Sequence, residues 1–374
     1  LDKHLHIICL DVPWPADYGG VLEIFYKLRA LYQQGIKIHL HCFTKNSNPQ
    51  KELAKYCVEV NYYTRKKNLA GFSFIVPYIV NSRNNPELLI NLQKDNYPVL
   101  LEGIHCTYLL NSAQLKNRKV FIRLHNTEYL YYNNLAKHET NILKKIYFLH
   151  ESRLLKKYEQ AIANKAMIFA MSDIDVTQYK NNFAATQIQY LPGFINWTMA
   201  AGKEGKGCYC LYHGNLSINE NETAVIWLLK NVFNNLDIPF VIAGKKPSKK
   251  LLALAHKHKN TCIVANPSEN EMQDIIAKAQ LHVLPSFNNT GIKLKLLNAL
   301  FNGRHCLVNQ AAVAGSRLEA ACHIANDVAS FKKVIETIYQ QPFTEQEKER
   351  RQGLLQTIYN NEANAKYLVN SFGW

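Results

Sequence analysis

The 374-residue chain lacks any run near the roughly 20 apolar residues needed to span a bilayer. Its longest apolar stretch, Phe72 to Val80, is interrupted by Ser73 and Pro77. No C-x-x-C pair occurs, and the nine cysteines are odd in number and without framework spacing. Buried thiols in a reducing cytoplasm explain this better than a disulfide scaffold or a zinc site. There is no G-x-G-x-x-G, so the usual dinucleotide fingerprint is missing. The opening residues, LDKHLHIICL, hold no small-residue cleavage site, so no signal peptide is read. Repeats of solenoid period and low-complexity tracts are also missing. Acidic residues are in deficit, with 29 Asp and Glu against 44 Lys and Arg, a formal charge of +15.

With 47% hydrophobic content, the chain can build two ordinary α/β domains. The basic excess is spread over both halves. It favours anionic partners such as nucleotides or an anionic membrane surface. For any one lysine cluster, a solvated face is the better explanation of the charge. No nucleic-acid-binding motif accompanies it, so nucleic acid is not an expected partner.

The stretch Leu281 to Gly303 organises the second half. An apolar strand, Leu281 to Pro285, runs into a polar loop. Gly291 then opens a helix from Lys293 to Phe301, and Gly303 stands at its C-terminal cap position. Strand, glycine turn and helix present N–H groups to anions, with Lys293 and Lys295 adding charge nearby. An ordinary βα unit with surface lysines reads the same way.

The first half starts with strand Leu5 to Leu10, a loop holding Gly19 and Gly20, a helix from Val21 to Gln34, and strand Lys37 to Phe43. Strand Lys119 to Leu124 ends at His125, Asn126, Thr127 and Glu128, polar residues at a strand exit where open α/β sheets bind ligands. A helix over residues 140–165 is predicted to bury Ile142, Ile146, Leu149, Leu154, Leu155, Tyr158 and Ile162. The second half repeats the alternation, with strand exits at Gly214 and Asn215, at Lys245, and at Asn266 and Pro267. The expected fold is α/β, two Rossmann-like doubly wound domains. They are placed at residues 1–193 and 208–353, with a linker at 194–207 and a C-terminal helix, 354–374, returning to the first domain.

The motifs P-x-P-x-x-x-G-G (Pro13 to Gly20), R-L-H-N-T-E (Arg123 to Glu128), Y-H-G-N-L-S (Tyr212 to Ser217), V-I-A-G-K (Val241 to Lys245) and L-P-S…T-G-I-K-L-K-L-L-N-A-L-x-N-G (Leu284 to Gly303) carry a family resemblance in this order. The chain resembles a GT-B-fold retaining glycosyltransferase of group 1, family 4-like, over nearly its whole length. The resemblance implies a nucleotide-sugar donor, UDP- or GDP-linked, and a glycan or lipid-linked acceptor meeting in a cleft between the two domains. It implies no cofactor and no metal, and no D-x-D of the kind metal-dependent transferases carry is assigned. His125 and Lys293 become catalytic candidates. Gly19, Gly20, Gly214, Asn215, Lys245, Asn266, Pro267, Thr290, Gly291, Ile292 and Asn298 become donor-binding candidates. Asn126 and Glu128 become acceptor-binding candidates. The implied setting is cytoplasmic and peripheral on the inner membrane face, in cell-surface polysaccharide synthesis.

The sequence departs from the family pattern in three places. Thr290 and Asn298 stand where paired acids are usual, and Asn215, Asn219 and Asn221 occupy a region that usually holds a diphosphate-clamping Arg and Lys. Lys293 or Lys245 is expected to supply the missing charge. Two other readings stay open: a degenerate relative that binds nucleotide or glycan without turnover, and a sugar epimerase of the same fold.

Overall fold

The computed structural model describes residues 2–16, 19–44, 49–115, 117–139 and 141–374. Residues 17 and 18 of the Pro13–Gly20 motif, and residue 140 of the predicted long helix, lie outside them. The chain forms two compact units, residues 1–196 with 359–374, and residues 197–358.

The first unit is built on a seven-stranded sheet of order β3-β2-β1-β4-β5-β6-β7. Its strands are β1 (Lys3–Cys9), β2 (Ile36–Thr44), β3 (Glu59–Thr64), β4 (Val99–Glu102), β5 (Val120–Leu124), β6 (Met167–Ala170) and β7 (Ile188–Tyr190). Every pairing is parallel. A parallel sheet needs cover on both faces, so its strands are apolar runs rather than alternating ones. Leu5, Ile7, Ile8 and Cys9 of β1 are all fully buried. The helix Gly19–Gln33 buries Val21, Ile24, Phe25, Leu28 and Leu31, the stripe its spacing predicts. The last helix, Asn361–Ser371, belongs to this unit: Ala365, Leu368 and Val369, with Phe372 just beyond, share a core with Ile24 and Leu28. The order reverses between β1 and β4, so the loops after β1, β4 and β5 emerge side by side.

The helix over residues 140–165 is observed as Ile142–Ile162, but its buried side is shorter than expected. Leu155, Tyr158 and Ile162 are buried, whereas Ile142 is 71% and Ile146 59% exposed. Only the C-terminal turns face the sheet; the helix Glu128–His138, which apolar spacing did not reveal, packs along it.

The second unit is a six-stranded parallel sheet of order β10-β9-β8-β11-β12-β13. It consists of β8 (Cys210–His213), β9 (Phe240–Gly244), β10 (Thr261–Ala265), β11 (Leu281–Val283), β12 (His305–Val308) and β13 (His323–Ile324). Strand β11 stops two residues before the expected Pro285. The helix after it is Leu294–Asn302, one residue later than predicted, with Gly303 as its C-cap. Gly303 has an extended φ of −105° rather than the left-handed one. Glycine is required there by packing, because a Cβ would sit 2.0 Å from His282 Nε2. All nine cysteines are free thiols, but only five are buried as expected: Cys57 and Cys322 are half-buried, and Cys208 and Cys262 are exposed. Among the described residues no helix is long and apolar enough to cross a membrane.

Candidate functional site

In the first unit, the exits of β4 and β5 and the helix after β1 converge on a buried charge network. Glu23 lies in the helix Gly19–Gln33, whose first residues are the candidate glycines Gly19 and Gly20. Lys27, one turn on, donates to Glu23 Oε2 at 2.8 Å and lies 2.8 Å from Glu102 Oε1 at the end of β4. Arg123 Nε and Nη2 reach Glu23 Oε1 at 3.0 and 2.9 Å, and its other N–H groups bond to the carbonyls of Leu191 and Pro192. These four side chains are at most 1% exposed. Two carboxylates and two cations cancel, which is how such charge survives burial. Burial alone would raise the Glu23 carboxyl, but Lys27 and Arg123 override it and hold the group well below the usual range.

His125 joins this network from the β5 exit. Its Nε2 lies 3.1 Å from Glu102 Oε2. A carboxylate only accepts, so Nε2 carries the hydrogen in this bond and Nδ1 is the ring nitrogen left for another partner. Glu102 thereby fixes the tautomer and tilt of His125. Glu23, Glu102 and His125 also offer three ligand atoms within 4.8 Å of one another. The place a cation would take is filled by the Lys27 ammonium, so a metal ion does not fit these residues.

Beyond His125, the helix Glu128–His138 starts with its N–H groups already engaged. Glu159 accepts from the N–H groups of Glu128 and Tyr129, both at 2.9 Å, and from the Tyr179 hydroxyl at 2.8 Å. Asp175 accepts from the N–H and hydroxyl of Thr127, at 2.8 and 2.7 Å. Glu128 itself is buried, with Asn126 Nδ2 at 3.5 Å. Burial raises the Glu128 carboxyl to about 7 and, reinforced by Glu128, raises Glu159 to about 8. A D-x-D spacing does occur here, at Asp173-Ile174-Asp175. It begins a helix capped by Ser172, and its second acid is spent on Thr127, so it is a structural pair.

In the second unit the candidates line up along neighbouring strands. Gly214 follows β8, and its N–H donates to the Ala243 carbonyl in β9 at 3.1 Å. Gly244 closes β9 so near to it that a Cβ would lie 1.9 Å from the Gly214 oxygen. The Leu216 N–H donates to the Lys245 carbonyl at 2.9 Å, while the Lys245 side chain is exposed. Asn266, after β10, has φ 56° and bonds through its N–H to Gly244 and through its side chain to the Lys246 N–H. Pro267 follows at once. Asn215 is turned inward on its own loop and accepts from Ser217.

The loop after β11 adjoins the same edge. Thr290 is buried, and its N–H and hydroxyl both go to Asn288 Oδ1, at 2.9 and 2.8 Å. The N–H of Thr290, a donor-binding candidate, is therefore already taken. Gly291 has φ 65°, a conformation that favours glycine, and leads through Ile292 into the helix. Lys293 donates to the Thr290 carbonyl at 2.9 Å and lies 3.5 Å from Glu220. Asn298 accepts from Asn302 one turn on, at 2.7 Å.

Two residues outside the expected set complete this edge. Lys295 donates to Tyr212 and Asn221, at 2.8 and 2.7 Å, with its ammonium 4.8 Å from the Tyr212 ring centre. Its Cδ would touch a Cβ at Gly214 at 3.8 Å. Burial lowers its pKa to about 8 against the pull of Glu220. Glu220, from the helix Asn219–Trp227, accepts from Ser286 at 2.6 Å and lies 3.4 Å from Asn288 Nδ2. A carboxylate thus stands at the 286–293 loop although Thr290 is not one. The sequence signalled Lys295 only as charge, and it gave no sign of Glu220.

Residues 207–341 match the family model of group 1 glycosyl transferases. A Klebsiella pneumoniae protein described as an uncharacterised 44.6 kDa protein in the cps region is 27% identical over 361 residues, covering 88% of this chain and 89% of that one. Among solved structures, sucrose-phosphate synthase of Thermosynechococcus elongatus superposes with TM-score 0.73 at 12% identity, covering 99% of this chain and 98% of that one. TarM follows at TM-score 0.71 and 11% identity, covering 100% and 99%. HepE of Anabaena, solved with UDP and glucose, gives 0.66 at 10% identity, covering 99% of each chain. The second unit thus matches the group 1 glycosyl transferase model, and the chain has the GT-B fold of these solved structures.

Proposed function

We propose that this protein moves a sugar, with retention at the anomeric carbon, from a UDP- or GDP-sugar to a glycan or lipid-linked acceptor in cell-surface polysaccharide synthesis. The observation that carries the reading is the Lys295 ammonium, held by Tyr212 and Asn221 beside Gly214. A fixed cation beside a glycine turn at a strand exit suits the diphosphate that leaves in such a transfer. Relatives support the rest. HepE was solved with UDP and glucose, TarM of S. aureus with UDP and alpha-GlcNAc-glycerol, and the Klebsiella relative lies in a cps region.

In this reading the second unit binds the donor through Gly214, Lys245, Asn266, Pro267 and the 290–293 loop, with Lys293 and Lys295 offsetting the charge of the leaving diphosphate. Lysine charge replaces a metal ion, so transfer proceeds in chelator. His125, oriented by Glu102, meets the transferred sugar through Nδ1, and Asn126 and Glu128 serve the acceptor. The work takes place at the cytoplasmic face of the membrane.

The test is a panel of UDP- and GDP-sugars, assayed for binding, hydrolysis and transfer, with and without EDTA, and with NMR of the product's anomeric configuration. Failure to bind any nucleotide would sink the reading. The second reading, a binder without turnover, is favoured by Thr290 and Asn298 standing where acids are usual; binding with neither hydrolysis nor transfer would establish it.

A further inference from the structure

The first turns of the helix Ile142–Ile162 are uncovered. Ile142, Leu143 and Ile146 are 71, 75 and 59% exposed. Leu143, Tyr147 and Glu151 succeed one another at i, i+4 spacing and so form one stripe along the helix. Glu151 Oε2 accepts the Tyr78 N–H at 2.8 Å, which fastens the preceding segment to this stripe. That segment carries Leu69, Phe74 and Ile75, which are 87, 77 and 85% exposed. It is held in shape from within: the Tyr78 ring lies 2.9 Å from a Cβ built at Gly71, Asn81 bonds to the Gly71 carbonyl, and Phe72 stacks edge-on with Phe74 at 4.9 Å. Two elements of one unit, tied together by the bond from Tyr78 to Glu151, therefore each present three large apolar side chains to solvent. Single exposed apolar residues need no explanation, but two sets of three on linked segments do.

Within both segments the charge is positive, with Glu139 and the buried Glu151 flanking the second. Residues 65–77 hold Arg65, Lys66 and Lys67 and no acid, and residues 141–150 hold Lys144 and Lys145 and no acid. Lys67, Lys144 and Lys145 are exposed. Apolar side chains flanked by lysines match the boundary of a bilayer whose headgroups are anionic, where chains enter the acyl edge and ammonium groups meet phosphates.

We propose that this face of the first unit seats the protein on an anionic lipid bilayer through Leu69, Phe74, Ile75, Ile142, Leu143 and Ile146, with Lys66, Lys67, Lys144 and Lys145 on the headgroups. The attachment lies in the interface and spans nothing. It rests on the proposed function only for its purpose, which is to bring the enzyme to a lipid-linked acceptor.

The experiment is co-sedimentation of the full chain with sucrose-loaded vesicles of phosphatidylcholine, or of phosphatidylcholine and phosphatidylglycerol in equal parts, without donor or acceptor. Partition onto the anionic vesicles should exceed that onto neutral ones at least tenfold and fall with added salt. The double variants Phe74→Ser/Ile75→Ser and Lys144→Glu/Lys145→Glu should each lower it at least tenfold while thermal melting stays unchanged. Equal partition onto both vesicles, none onto either, or variants that bind as the parent does would overturn the proposal. A concentration-dependent dimer broken by the same variants, with no vesicle binding, would assign the face to a second copy instead. Nucleotide binding is measured separately, so a chain that binds vesicles but no nucleotide loses the proposed function and keeps this surface.

Discussion

Lys295 Nζ lies 2.7 Å from Asn221 Oδ1, so an amide holds in place a cation supplied from another element. Asn221 lies in the region where the family pattern usually places a cation of its own. Replacing Lys295 by Met should weaken donor binding roughly tenfold to a hundredfold, the value of one charge-assisted hydrogen bond. Calorimetric titration with the productive nucleotide reads this directly, and an unchanged affinity would remove Lys295 from the site.

The same lysine gives donor binding a pH dependence. Its pKa is lowered to about 8, so the ammonium predominates below that pH and the neutral amine above it. Donor affinity should hold on the acid side and decline as pH rises through about 8. In Lys295→Arg the decline should disappear from this range, because a guanidinium keeps its proton.

The network around Lys27 makes a claim on stability. Lys27→Met would leave Glu23 and Glu102 buried beside each other with only Arg123 to offset them. Such a loss is expected to cost about 3–5 kcal/mol in denaturant unfolding. Glu102→Gln is the milder variant. It keeps a partner for His125 but no longer dictates the tautomer, so kcat and its pH profile should change more than the melting temperature does.

A histidine cluster on the opposite end of the sheet predicts acid sensitivity. His4 and His39, and His6 and His41, pair across β1 and β2 at 2.9 and 2.8 Å; His6 also meets Asp95, and His41 meets Tyr63. Burial lowers His6 to about 4 and His41 to about 3. In this window the unfolded chain binds more protons than the native one. Stability should therefore be full above pH 6.5 and fall as pH drops towards 4, by on the order of 3 kcal/mol for His6 alone. Melting temperature against pH measures it. His6→Asn/His41→Asn should flatten the curve, and a parent protein whose melting ignores this window would refute the assignment.

At Gly244 a methyl group has nowhere to go. A Cβ there would stand 1.9 Å from the Gly214 carbonyl oxygen, which is backbone and cannot swing aside. Gly244→Ala should separate β8 from β9 at their exits, lowering stability by about 1–3 kcal/mol and abolishing nucleotide-induced stabilisation in a thermal-shift assay.

Much of the fold was legible because strand and helix periods differ, and the stripe Val21, Ile24, Phe25, Leu28 and Leu31 could only be a helix face. The strand exits bearing His125, Gly214 and Asn266 were legible for the same reason. Partnership over long sequence distances was not. Glu23 and Lys27 stand one helical turn apart and read as a surface pair, yet the sheet order brings Glu102 and Arg123 against them and buries all four. The triplets His4-Leu5-His6 and His39-Leu40-His41 look like alternating surface positions until parallel pairing sets them side by side. Ile142 and Ile146 failed in the opposite direction: their spacing fitted a buried face, but nothing in the described unit reaches far enough to cover them.

The helix Asn361–Ser371 sets an order of events in biosynthesis. Leu368, Val369 and Phe372 close a core shared with Ile24 and Leu28, which are translated more than 300 residues earlier. While the ribosome is still making the second sheet, that patch of the first unit stays open to water. The second unit has all its strands before the first unit is sealed, so folding of the first unit finishes only after residues 361–372 emerge. A stalled or shortened chain would therefore expose apolar surface at its beginning, far in sequence from the residues it lacks.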